Sequence, residues 1–149
     1  MIKYNLEEIL PHDYPMILID RLIKINLDEK YVECEVTISD DKIFFDKSIN
    51  GVSPIVGIEY MAQTIGCFSY FYNNCQKPKL GFLLGSRAYK NNIEKFENGK
   101  NYRITAKEIF TDNELVSLDC FIYDGNHVCA NATINTYLPK DALKYIEGM

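Results

Sequence analysis

Between Tyr31 and Ile38 the chain alternates, with apolar Val32, Cys34, Val36 and Ile38 interleaved by Glu33, Glu35 and Thr37. Successive side chains of a strand point to opposite faces, so this pattern predicts a half-buried strand. Three later segments, "NYRITAKEIFTD", "LVSLDCFIYD" and "HVCANATINTYL", read the same way. "LGFLLGSRAY" reads as a fourth strand, with glycines where something approaches the backbone closely. One segment breaks the period. "PIVGIEYMAQTIGCFSYFYN", Pro54–Asn73, is apolar almost throughout and predicts one long buried helix opened by a proline. The polar stretch "SDDKIFFDKSINGVSP" before it reads as a loop.

At the N-terminus, Asn5 followed by Leu6-Glu7-Glu8 predicts a capped short helix that stops before Pro11. "YPMILIDRLIKINLD" then turns extended. Asp124-Gly125 marks a hairpin. An odd-numbered loop there would set Val116, Leu118, Cys120 and Ile122 with Val128, Ala130, Ala132 and Ile134. An even one would set Leu118 and Ile122 against Asn131 and His127, so the apolar match favours the odd loop. The predicted order is a short helix, strands, one long helix, then four strands in an antiparallel meander. That is an α+β chain, one domain over residues 1–149, whose curled sheet wraps the helix. One sheet does not cover so apolar a helix on every side. A homodimer with the two helices back to back is the economical arrangement.

Composition narrows the function. The 149 residues are 47% hydrophobic and 13% aromatic, with a net charge of −5, which argues against nucleic acid. The N-terminus has no signal-peptide pattern. Five cysteines without a C-x-x-C pair, and only two histidines, give no zinc site and no disulfide framework, so a cytoplasmic setting is expected. Glu59 and Gln63 interrupt the apolar helix and argue against a membrane span. Burying a carboxylate there costs free energy unless it is paired or working.

"LPHDYPMILIDRL", "GIEYMAQTIG" and "GFLLGSRAYK" together resemble the hotdog-fold dehydratases that act on 3-hydroxyacyl groups held on acyl carrier protein. The likeness is greatest to the dehydratase-like proteins of aryl-polyene biosynthesis, and it runs from Ile9 to about Leu138. It implies that Glu59 takes the place of the acidic residue on the central helix, followed by Ala62 and Gln63. The usual histidine of the preceding loop is absent from "FFDKSINGVSPIVG". His12, in the LPH motif, is then the expected partner of Glu59, since His127 flanks the hairpin and reads as a solvated strand residue.

Dehydration removes an alpha proton and a beta hydroxyl, so the site needs a base, an acid and a donor to polarise the thioester carbonyl. Free backbone N–H groups at Val56 and Gly57 are the expected donors. A buried carboxyl holds its proton more readily, which suits Glu59 to act as acid, and a neutral His12 imidazole suits the base. Gln63, one turn on from Glu59, is placed to orient it. The resemblance implies no metal or redox cofactor, with substrate arriving on the phosphopantetheine of acyl carrier protein.

From Lys77 to Arg103, seven basic residues face two acidic ones, +5 within a chain of net −5. Lys77, Lys79, Arg87 and Lys90 are accordingly expected to dock the acidic carrier protein. Two alternatives stand beside the dehydratase: a hotdog acyl thioesterase, and a non-catalytic subunit that binds acyl carrier protein or a partner dehydratase. Homodimer and hetero-assembly with another hotdog protein both remain open.

Overall fold

The computed structural model describes residues 4–76 and 83–137, with residues 83–87 as backbone alone. A short helix, α1 (Leu6–Ile9), is capped by the Asn5 side chain, which accepts from the Glu7 N–H. Strands β1 (Arg21–Asn26) and β2 (Tyr31–Thr37) follow as an antiparallel pair. The polar loop then holds two short strands, β3 (Phe45–Asp46) and β4 (Gly51–Val52). A 3₁₀ turn at Pro54–Val56 leads into α2 (Gly57–Tyr72). The chain continues through β5 (Leu83–Asn91), β6 (Phe96–Glu97), β7 (Asn101–Asp112), β8 (Leu115–Asp124) and β9 (His127–Tyr137).

The larger sheet has the order β1-β2-β7-β8-β9-β5, and β3-β4-β6 make a smaller one. α2 packs against all six strands of the larger sheet, which is the curled-sheet-around-helix arrangement expected from the patterning. The inner face is the predicted one. Val32, Cys34, Val36, Ile104, Leu118, Cys120, Ile122 and Ile134 have no exposed surface and meet Met61 and Phe68 of the helix. Each such valine, leucine or isoleucine side chain contributes about 1.5–3 kcal/mol by leaving water. Cys34 and Cys67 place their sulfurs 3.9 Å apart across the β2–α2 contact. Their mutual hydrogen bond and burial push the Cys67 thiol well above its ordinary value, as befits an inert core thiol.

Four details depart from the sequence reading. β5 does not join a four-strand meander: β7 is occupied by β2 and β8, so β5 takes the outer edge of β9. The apolar run Ile17–Ile19 is buried but forms no strand, because its backbone is spent on a helix side chain described below. The loop before α2 is not irregular throughout, since β3 and β4 pair with each other and β4 with β6. The hairpin loop is even, not odd. Asp124 pairs with His127 across two residues, and Gly125 takes φ +60°. A bulge after Ile122 then brings the expected apolar face together in a register shifted by two, with Leu118 on Ile134, Cys120 on Ala132 and Ile122 on Ala130, while Val116 meets Thr136 and Val128 meets Tyr123. One consequence is that Cys129 is buried while Val128 is half-exposed. The bulge lets a two-residue turn coexist with an apolar match that needed odd spacing.

Candidate functional site

The site lies where the segment after α1 crosses the start of α2. His12 comes from the LPH segment. Leu10, two residues before it, is fully buried and its N–H donates to Leu6 O, while the Met16 N–H closes a turn on Asp13 O at 2.8 Å. His12 is thus held from both sides. Its Nε2 lies 3.6 Å from Glu59 Oε1, and its Nδ1 is buried without a hydrogen-bond partner among the described residues. Glu59 sits in the first turn of α2.

Gln63, one turn further, is completely buried. Its Nε2 donates to Glu59 Oε1 at 3.2 Å and to Met16 O at 2.8 Å. Its Oε1 accepts from the Leu18 N–H at 2.8 Å and, more loosely, from the Ile19 N–H at 3.4 Å. The structure therefore brings together the three side chains singled out from the sequence: His12, Glu59 and Gln63.

Two expectations change. Glu59 is not enclosed by this chain, for its side chain is 39% exposed and that of His12 21%. Tyr14, Met16 and Ile55, two to four positions from the pair along the chain, are exposed, and half-exposed Ala62 and Gly66 continue the Glu59 side of α2. The carboxyl is partly exposed on this chain, where the sequence suggested burial.

The N–H groups of Val56 and Gly57 are not free either. Val56 donates to Ser53 O at 3.1 Å and Gly57 to Pro54 O, because the helix opens through a 3₁₀ turn that uses them.

That turn is pinned by a residue the sequence reading did not single out. The Tyr89 hydroxyl donates to Pro54 O in a very short hydrogen bond, and burial pushes its ionisation up to about 12. Gly57 permits this: a Cβ there would meet Tyr89 Oη, Ile122 and Phe96. The clue in the sequence was a glycine opening the first turn of a helix, where it weakens the helix unless packing demands it.

Of the expected docking residues, Lys90 is exposed. Lys77, Lys79 and the side chain of Arg87 lie outside the described residues. Two other cations of that stretch are paired with carboxylates of other strands, Lys100 with Asp124 at 2.9 Å and Arg103 with Glu33 at 3.4 Å. His127 is exposed at the hairpin. Among the described residues, no helix is long and apolar enough to cross a membrane and no group of acidic, histidine or cysteine side chains is arranged to hold a metal. All five cysteines are free thiols.

The model of the ApeP-like family, described as ApeP dehydratase, matches residues 4–147. A 3-hydroxyacyl-[acyl-carrier-protein] dehydratase, FabZ, of Bartonella bacilliformis is 36% identical over 82 residues, 54% of this chain and 53% of its own length. The FabZ of Methylobacterium nodulans is 35% identical over 81 residues, 52% of this chain and 51% of its own. The chain thus spans about half the length of these curated relatives. Among solved structures, the dehydratase heterocomplex ApeI:P from Xenorhabdus doucetiae superposes with a TM-score of 0.80 at 27% identity, covering 99% of this chain and 97% of that one. The zebrafish thioesterase superfamily member 2, at 9% identity and a TM-score of 0.62 over 79% of this chain and 80% of its own, shares the hotdog fold alone.

Proposed function

The chain belongs to the ApeP-like dehydratases, and on that premise we propose that it takes part in removing water from 3-hydroxyacyl groups carried on acyl carrier protein. The product would be a trans-2-enoyl thioester, in fatty-acid-like or aryl-polyene biosynthesis in the cytoplasm. The observation that carries the reading is the 3.6 Å approach of His12 Nε2 to Glu59 Oε1 in a chain without the usual loop histidine.

In this scheme the neutral His12 imidazole takes the alpha proton. Glu59 supplies a proton to the beta hydroxyl, which leaves as water while the double bond forms. Each turnover leaves an imidazolium facing a carboxylate, and transfer of the proton between them restores the starting state. With the N–H groups of Val56 and Gly57 engaged, the thioester carbonyl needs a donor from outside this turn. The scheme calls on no metal or redox cofactor, and the acyl group arrives on the carrier's phosphopantetheine. Lys77, Lys79, Arg87 and Lys90 are the proposed docking cations for that acidic carrier.

The open apolar side of α2 calls for a second chain to dry the site. The Xenorhabdus doucetiae relative is described as part of a heterocomplex, and by that likeness we place a second hotdog protein, identical or different, against this face. The same exposure favours one other reading: a subunit that binds a partner dehydratase or acyl carrier protein and turns nothing over.

The chain, alone and mixed with a hotdog dehydratase from its own source, would be offered 3-hydroxyacyl and enoyl thioesters on carrier protein. Interconversion without free thiol supports the dehydratase. Free thiol indicates a thioesterase. No turnover that depends on Glu59 in either setting leaves the binding subunit.

A further inference from the structure

One amide joins the two elements that carry the candidate acid and base. Gln63 uses both donors and both acceptor positions of its side chain, and none of the residue is exposed. Its orientation is forced. The Leu18 and Ile19 N–H groups require the oxygen on their side, and Met16 O and the Glu59 carboxylate require the nitrogen on the other. The backbone it grips at Met16–Ile19 begins four residues after His12, across the Asp13–Met16 turn.

We propose that Gln63 is a positioning residue that sets the spacing of His12 and Glu59 by clipping the LPH segment to α2 while aiming the carboxylate. It acts through the backbone of residues 16–19 and touches no substrate. The proposal rests on the dehydratase reading for its kinetic consequence, though not for its geometry.

The geometry also says which replacements are informative. Gln63→Met keeps the length but removes all four bonds. Gln63→Glu keeps the shape but turns an acceptor toward Met16 O and Glu59. Loss of the clip lets His12 drift, and a displacement near 1 Å costs about 100-fold in rate.

The test reads the pair directly. The ring-nitrogen NMR shifts of the two histidines would be recorded at one pH in the wild type, Glu59→Gln, Gln63→Met and the double variant, with exposed His127 as internal reference. We expect Gln63→Met to move the His12 shifts in the same sense as Glu59→Gln, with the double variant moving them no further, while His127 stays put. In turnover, kcat should fall about 100-fold with KM little changed. A folded Gln63→Met protein that loses only thermal stability, with His12 unmoved, overturns the proposal. Should that variant not fold, Gln63→Glu read the same way decides. A wild type without turnover would sink the dehydratase reading and leave the NMR comparison standing.

Discussion

Replacing Gly57 by alanine tests how the start of α2 is held. A Cβ there would collide with Tyr89 Oη and lie 3.1 Å from both Ile122 Cδ1 and Phe96 Cζ. Phe96 and Ile122 have no exposed surface and little freedom to withdraw. Tyr89 is tethered through its hydroxyl to Pro54 O, so yielding means giving up that bond, at about 0.5–1.5 kcal/mol. Crowding against the two core side chains adds about 1–3 kcal/mol. The gain in helix propensity from glycine to alanine, at most about 1 kcal/mol, offsets part of this. Gly57→Ala should therefore destabilise by about 1–3 kcal/mol. Tyr89→Phe alone removes the hydrogen bond, but combined with Gly57→Ala it also removes the atom in closest conflict. The double variant should be more stable than the sum of the two losses predicts, by at least about 0.5 kcal/mol. Urea unfolding of the four proteins measures this cycle. Additive losses, or a Gly57→Ala protein as stable as the wild type, would refute the packing argument.

His12→Ala should lower dehydration at least about 100-fold if His12 is the base, and a loss of only about twofold would make it structural. Ser48 donates through its hydroxyl and its N–H to Asp46, and these bonds hold that carboxyl below its ordinary value of 3.8. A depressed group stabilises the fold above its unfolded value and loses that contribution as the pH falls through the folded one. Ser48→Ala should thus move the NMR titration of Asp46 up toward 3.8, and an unmoved midpoint would contradict the assignment. Reversing Lys77, Lys79 and Arg87 to glutamate should raise KM for carrier-bound substrate far more than for a small thioester mimic, and equal losses on both would remove the docking idea.

What was legible in the chain was whatever a single element carries in its own pattern. The apolar run after Pro54 announced α2, and the alternation in β2, β7, β8 and β9 announced the inner face. Glu59 and Gln63 stood out because polar groups in such a run need a reason. What stayed hidden depended on elements meeting in space. The place of β5 follows from which strand edges remain free, and the extended Met16–Ile19 segment forms no strand because a helix side chain takes its hydrogen bonds. The engaged N–H groups at Val56 and Gly57 follow from a 3₁₀ turn anchored by Tyr89, thirty-odd residues away. Summing charge along the chain overstated the basic patch, since the carboxylates that answer Lys100 and Arg103 come from Asp124 and Glu33.

The central claim, that Glu59 beside His12 performs acid–base work, is tested most directly by Glu59→Gln in the complete assembly. The amide keeps the side chain's shape and can still meet Gln63. The interconversion of 3-hydroxyacyl and enoyl thioesters on carrier protein would be followed, with folding checked by circular dichroism. A folded variant with turnover lowered about 100-fold or more is the expected result. A folded Glu59→Gln protein that dehydrates at the wild-type rate would contradict it.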